Sequence, residues 1–176
     1  MPWQRDFLEI DLTKVPDQGV DPSQNPHGYS REDLLVMADN LKKIQRLSHE
    51  KGYHHEDFRR LRTSTDPAER ALGETHHKFY DHDQAGAQAN TDFVKVEWSR
   101  DHYEVTNGRH RLWAAQQRGL THLPAQVSAP DAATLARLRA ESDRISAGRR
   151  PLPDRAAPWE RTRPTSAERP ANRERT

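Results

Sequence analysis

The chain has 176 residues, of which 32% are hydrophobic and 31% are charged, a composition that indicates one domain with part of the chain outside its packed core. The formal net charge of +1 predicts no general attraction to nucleic acid or to membranes. The absence of cysteine excludes disulfides, thiolate metal sites and cysteine catalysis.

The N-terminal segment carries the pattern of a β-strand. Phe7, Leu8, Ile10 and Leu12 are interleaved with acidic residues, and Pro16 ends the run. The segment lacks the apolar core of a signal peptide, and no stretch of the chain approaches the length of a membrane span. We therefore expect a cytoplasmic protein with no membrane partner, with export by a signal-independent route left open.

A loop and a long helix follow this strand. Residues 21–28 contain two prolines, an asparagine and a glycine, which is typical of a loop. Ser30 is a suitable cap for a helix, and Gly52 is a suitable end for it. The apolar residues between these two positions recur at helical spacing and predict one buried face. They are Leu34, Met37, Ala38, Leu41 and Ile44, with Leu47 nearby.

Residues 53–90 are predicted as a helical insertion that runs into a flexible connector over 83–91. His55–Leu61 has the length of a short helix. Asp66 and Pro67 then form a strong start for a second helix, which Gly73 is expected to weaken.

Five of the ten histidines lie in this insertion, at positions 54, 55, 76, 77 and 82. His77 and Asp81 are four residues apart and could share a helix face. Neither an HExxH motif nor a Cys/His spacing supports a metal site. We therefore predict no metal and a polar, solvated surface; as an alternative, His76 and His77 extend a phosphate-binding face.

A β-hairpin, a helix, a short strand and a last helix complete the predicted domain. Apolar and polar residues alternate over 94–98 and again over 102–106, which indicates the hairpin. The next helix ends at Gly119. Residues 122–127 then predict a strand, which Pro124 places near a sheet edge. The last helix covers residues 132–146.

The turn between the hairpin and its helix predicts an anion site. Gly108 lets backbone amides approach a ligand, and the first amides of a helix are unpaired and lie at its positive end. Arg109, His110 and Arg111 are unfavourable at that end unless an anion binds between them. As an alternative, the arginines pair with acidic residues of the chain, for which the candidates are Asp21, Asp101 and Glu104.

The same stretch resembles a known family. YEVTNGRHRLWAA, residues 103–115, followed by Gly119-Leu120 and Leu123-Pro124-Ala125, is similar to the signature of the ParB/sulfiredoxin superfamily. That signature runs from a strand through a glycine, a basic pair and an alanine to Gly-Leu and Ile-Pro before another strand. The resemblance covers residues 93–127. It implies an α/β fold, a small mixed sheet with helices, for a ParB-like domain over 1–146.

The resemblance also implies a ligand. Members of the superfamily bind nucleoside phosphates: ParB proteins bind and hydrolyse CTP and bind DNA, sulfiredoxins use ATP, and related archaeal proteins phosphorylate free serine. By this resemblance Gly108, His110 and Arg111 would contact the phosphates and Asn107 would shape the turn. The implied cofactor is a nucleoside triphosphate, ATP or CTP, with Mg²⁺, and the implied assembly is a homodimer.

Two departures from the family limit the activity. Arg109 stands where sulfiredoxins have their cysteine, which excludes that activity, and where ParB proteins usually have an acid. Only one helix follows the motif, instead of the helix-turn-helix domain of ParB proteins. We therefore predict a nucleotide-dependent switch, or a phosphotransferase or nucleotidase with His110 and Arg111 as candidate catalytic residues and with charge stabilisation by Arg109.

The C-terminal segment carries the alternative function. Residues 147–176 hold eight arginines, four acids and five of the twelve prolines, a net charge of 8 − 4 = +4. Such a segment buries too little surface to become ordered, so we expect a disordered tail. In the alternative, the basic motif and this tail contact a DNA backbone or an acidic protein partner.

Overall fold

The computed structural model describes residues 3–21, 28–81 and 92–148. This part of the chain forms the predicted mixed α/β domain, and none of its helices is long and apolar enough to cross a membrane. The connector predicted over 83–91 lies outside the described residues, as do most of the loop at 21–28 and of the tail at 147–176. The strands are β1 (Gln4–Asp11), β2 (Lys95–Ser99), β3 (His102–Asn107) and β4 (His122–Ala129); the helices are α1 (Arg31–Glu50), α2 (His55–Leu61), α3 (Pro67–Tyr80), α4 (Arg109–Gln117) and α5 (Ala132–Gly148), with a 3₁₀ helix at Leu12–Lys14.

The four described strands form one mixed sheet in the order β1-β4-β2-β3. β4 is antiparallel to β1 and parallel to β2, and the predicted hairpin of β2 and β3 is confirmed. The position predicted for β4 near a sheet edge is wrong, because this strand lies between two others.

Pro124 is accommodated inside the sheet by its register. Glu9 of β1 lies opposite Pro124, and the Glu9 amide donates to Ser142 Oγ at 2.9 Å instead of to β4. The two residues are therefore a non-hydrogen-bonded pair, in which both amide positions face away from the partner strand. On its other side β4 pairs with β2 only from Gln126 onward, so no ladder hydrogen bond is lost at the proline.

Helix α1 begins and packs as its sequence predicts. The Ser30 hydroxyl accepts a hydrogen bond from the Asp33 amide, and the Asp33 carboxylate accepts one from the Ser30 amide, which closes a capping box. α1 packs against α3 and α4, whereas α5 packs against β1 and β4. The fully buried core joins the sheet to these helices; its large members include Ile10, Leu41, Val94, Val96, Tyr103, Leu112, Leu123 and Leu138.

The short helix α2 lies directly against α3, and Gly73 is the reason that the two backbones approach so closely. A Cβ atom at Gly73 would lie 2.6 Å from the backbone nitrogen of Arg62 and 2.9 Å from the carbonyl oxygen of Phe58. The expectation that Gly73 only weakens α3 is therefore incomplete, because the loss of helix propensity permits the contact with α2.

Candidate functional site

The start of α4 has the backbone geometry that the anion-site prediction requires. Gly108 connects β3 to α4 with a φ of +95°, in the left-handed region. A Cβ atom there would lie 2.9 Å from Val94 Cγ2 and 3.2 Å from Val94 Cα, so two independent constraints require glycine. The first turn of α4 carries no acidic residue, and the first amides of a helix have no partner within it.

Two of the predicted phosphate-binding residues hold a carboxylate. Asn107 Nδ2 donates to Asp92 Oδ1 at 2.9 Å and to the Phe93 carbonyl oxygen at 2.6 Å. Arg111 Nη1 donates to the Asp92 carbonyl oxygen at 2.6 Å, and its Nη2 lies 3.4 Å from Asp92 Oδ1. The acidic partner of Arg111 is thus Asp92, a residue that the sequence alone did not suggest.

The Arg111 guanidinium is largely buried and Asp92 is not. The Arg111 side chain is 11% exposed and that of Asp92 is 64% exposed. The guanidinium lies over the Phe79 ring at 5.9 Å, and burial lowers the pKa of Arg111, which the negative charge of Asp92 partly offsets. The buried cation is therefore balanced by a carboxylate that itself remains in contact with solvent.

Arg109 and Arg111 reach different surroundings. Arg109 Nη2 donates to the Gln18 carbonyl oxygen at 2.8 Å, beside a cleft of about 300 Å³ that Pro16, His102 and Glu104 help to line. The expected convergence of both arginines on a single anion is not present in this conformation. His110 is half-buried in the first turn of α4.

Lys78 and Tyr29 lie next to the Arg111 side of this site. Lys78 Nζ donates to the Tyr29 hydroxyl at 3.0 Å. Tyr29 is also close enough to Arg111 to raise its pKa, which offsets part of the lowering by burial. In the alternative interpretation, residues near the end of α3 extend the phosphate-binding face. The position of Lys78 agrees with this alternative, whereas His76 does not, because it is buried on another side of the helix.

Three described histidines of the insertion, His55, His76 and His77, form a second cluster with Asp81, and the expectation of a solvated surface is wrong for His76 and Asp81. His76 is 1% exposed and Asp81 is fully buried, because α2 covers α3. His55 Nδ1 lies 2.9 Å from His76 Nε2. His76 Nδ1 has no hydrogen-bond partner among the described residues and lies 3.8 Å from Asp81 Oδ2.

The electrostatics of this cluster keep His76 neutral and Asp81 ionised. Burial, reinforced by the neighbouring His55, lowers the pKa of His76 to about 3. Burial by itself raises the pKa of Asp81, but the hydrogen bonds from Arg59 and His77 and the positive charge of Arg59 outweigh it, and the net shift is downward. Arg59 Nε donates to Asp81 Oδ1 at 3.0 Å, and His77 Nδ1 lies 3.3 Å from Asp81 Oδ2.

A cavity of about 400 Å³ borders the cluster. The sequence contained a spacing signal only for His77 and Asp81, which are four residues apart and lie in contact in the structure. It contained none for His55 and His76, because these come from the start of α2 and from near the end of α3. Only the close packing at Gly73 brings them together. The residues that line the cavity are Glu9, Ile44, Ser48, Tyr53, His54, His55, Phe58, His76 and Tyr80.

Comparisons of the chain with protein-family models, with curated proteins and with solved structures found no match. Membership of the ParB/sulfiredoxin superfamily therefore stays a prediction from the motif at residues 93–127.

Proposed function

We propose that the chain binds a nucleoside triphosphate, ATP or CTP with Mg²⁺, at the start of α4 and acts as a nucleotide-dependent switch. The observation that carries this proposal is the Asp92 carboxylate held by Asn107 and Arg111 beside Gly108. A set of hydrogen-bond donors that holds a carboxylate of the chain itself is also complementary to an anionic ligand.

A phosphate is a better partner for this position than the carboxylate. The contact of Asp92 Oδ1 with Arg111 Nη2 is long, at 3.4 Å, and the first amides of a helix have no partner within it. A phosphate has more acceptor oxygens, so it can engage the guanidinium and the helix amides together at the positive end of the dipole. Because the Asp92 side chain is 64% exposed, a ligand can displace it without opening the core.

The surroundings favour a nucleotide over inorganic phosphate. Lys78 supplies a further cation, and Tyr29, whose hydroxyl accepts its hydrogen bond, is 38% exposed. An exposed aromatic ring beside a basic site offers a stacking surface for a base. The chemistry favours a switch over a phosphotransferase or nucleotidase, since Arg109 occupies the position at which ParB proteins usually have an acid, and His110 and Arg111 remain the candidate catalytic residues.

A second candidate function is contact with a nucleic-acid backbone. Arg109 and Arg111 extend to different sides of the α4 start, a spread that also suits two successive phosphates of one strand. In this alternative the same arginines position a DNA partner and no nucleotide is bound.

Isothermal calorimetry against ATP, CTP and GTP with Mg²⁺ tests the proposal. We expect one nucleotide to bind with 1:1 stoichiometry, Arg111→Ala to weaken it at least about tenfold, since a charge-assisted bidentate contact is lost, and Lys78→Ala to weaken it less. Asp92→Asn should bind several-fold more tightly, because the internal competitor loses its charge. Arg70→Ala, which changes an exposed contact at the other end of α3, is the matched control.

Arg111→Ala could lose nucleotide affinity simply because the variant misfolds. Asp92→Asn keeps the test decisive, because the proposal predicts a gain in affinity for this variant. If neither the natural chain nor Asp92→Asn binds any of the three nucleotides at millimolar concentration, the nucleotide proposal is wrong and the backbone alternative takes its place.

A further inference from the structure

We propose that His55, His76 and Asp81 form a binding site for a divalent transition-metal ion of the Zn²⁺ class, separate from the anion site at α4. One ligand atom from each of the three residues lies within 4.8 Å of the others. Two imidazoles and one carboxylate are the ligand types that Zn²⁺ takes at sites with an open position. Hard ions such as Mg²⁺ prefer a set made of oxygens only.

The buried nitrogen of His76 is the observation that points to a ligand. His76 Nδ1 is buried and has no hydrogen-bond partner among the described residues, whereas buried polar atoms are normally paired. The carboxylate oxygen Asp81 Oδ2 lies 3.8 Å from it, which is too far for a hydrogen bond. Two ligands of a tetrahedral ion, each about 2.1 Å from it, stand about 3.4 Å apart, so this gap is close to the separation that a shared ion requires. His55 lies against the other ring nitrogen of His76, Nε2, at 2.9 Å, so the exposed His55 side chain has to rotate to reach the same ion.

Two of the three ligands, Asp81 and His76, are held in place by the residues around them. Arg59 binds Asp81 Oδ1 through Nε and Nη2, at 3.0 and 2.9 Å, and Asp81 Oδ2 lies 3.3 Å from His77 Nδ1 and 3.8 Å from His76 Nδ1. The His76 ring stacks on Phe58 at 4.6 Å and on Tyr80 at 5.3 Å, which fixes its plane. Such orienting contacts are characteristic of metal ligands.

The charge of the cluster is compatible with a cation. Arg59 is the cation nearest to Asp81, and its Nη1 also pairs with Glu56 Oε1 at 2.7 Å. The positive charge of Arg59 is therefore shared between two carboxylates, and both histidine ligands bind metal in their neutral form. An incoming divalent ion thus meets no unbalanced positive group at Arg59.

The adjoining cavity makes the site open. His55 is exposed and His76 borders the cavity of about 400 Å³, so three protein ligands leave at least one coordination position for water or a small ligand. Sites of this kind exchange their fourth ligand, in contrast to closed structural zinc sites. In the proposed site, the water or small ligand bound to the metal therefore faces the cavity.

Zn²⁺ binding to the full chain, after removal of metal with a chelator that is then dialysed away, tests the inference. We expect one equivalent of Zn²⁺ in equilibrium dialysis and a higher unfolding temperature with Zn²⁺ than without. His55→Ala and Asp81→Asn should each weaken binding at least about tenfold, because each removes a ligand. His49→Ala, at an exposed histidine of α1, is the matched control and should bind as the natural chain does.

Co²⁺ provides a second, spectroscopic readout that does not rely on a change in the unfolding temperature. Bound by two imidazoles and a carboxylate in a four- or five-coordinate site, it should give an intense visible absorption that is absent in His55→Ala, an exposed position at which the core is not disturbed. If the natural chain takes up no Zn²⁺ at 100-fold molar excess, or if His55→Ala binds as tightly as His49→Ala does, the cluster is an ordinary buried histidine pair and the inference is wrong.

Discussion

At the scale of single residues, Gly108 determines more of the geometry of the anion site than the arginines after it. Its φ of +95° is one that side chains with a Cβ rarely adopt, and the space beside it is filled by Val94. The guanidinium of Arg111 also lies against it, since Nη2 would be 3.2 Å from a Cβ atom at this position. The turn, the buried cation and Val94, the residue before β2, are therefore packed together at one glycine.

Gly108→Ala should destabilise the domain more than the same substitution at another glycine in the left-handed region. The positive φ costs about 1–2 kcal/mol, and forcing a methyl group against the Val94 backbone adds about 1–3 kcal/mol. Gly119→Ala is the matched control, because Gly119 has a φ of +71° but open space around its Cβ position. Urea denaturation of the two variants measures the difference, and equal losses would show that Val94 does not fill the space beside Gly108.

At the scale of elements, local sequence patterns predicted which helices and strands exist and where they end better than they predicted which elements lie side by side. The cap at Ser30, the Asp66-Pro67 start and the alternation of the hairpin each depend on contacts within a few residues, and each was confirmed. The placement of β4 was wrong because a proline excludes only one hydrogen-bonding direction, and register decides which direction is needed. Register depends on a partner strand more than a hundred residues away.

Gly73 shows the same limit for helix pairs, and it supports a prediction. By propensity alone Gly73→Ala should stabilise α3 by about 1 kcal/mol. The structure predicts the opposite sign, a net loss of about 1–2 kcal/mol, because the new Cβ atom meets backbone atoms of α2 at 2.6 and 2.9 Å that cannot rotate away.

Ala71→Gly, at an exposed position of the same helix, is the control and should lose about 1 kcal/mol by propensity. Urea denaturation compares both variants with the natural chain. A gain in stability for Gly73→Ala would mean that α2 does not pack on α3 as closely as described.

At the scale of the whole molecule, α3 connects the two candidate sites. Phe79 lies under the Arg111 guanidinium and Lys78 reaches Tyr29, whereas His76 and His77 approach Asp81. The sequence identified the residues of the anion site because they are adjacent in the chain. It could not predict Asp92 as their partner, because that contact joins residues 15 and 19 positions apart once β2, β3 and α4 have packed. Of the histidine cluster it indicated only the pair His77 and Asp81, because His55 meets His76 only after α2 has packed on α3.

The charge of the whole chain distinguishes the two candidate functions through salt. A net charge of +1 gives no long-range attraction, so a nucleotide held by a few direct contacts should lose affinity gently as KCl rises from 50 to 300 mM. A backbone partner that neutralises about six phosphates would instead give a slope of log K against log salt of about −5. We expect a slope shallower than about −2 for the nucleotide, measured by calorimetry, and only weak binding of duplex DNA at 150 mM KCl.

Removal of residues 149–176 should leave nucleotide affinity unchanged, because every contact of the anion site described above lies within residues 18–111. A steep slope with DNA that disappears in the shortened chain would instead assign the binding to the arginine-rich tail. A steep slope that survives truncation but is lost in Arg111→Ala would assign it to the start of α4, and the motif would then serve nucleic acid.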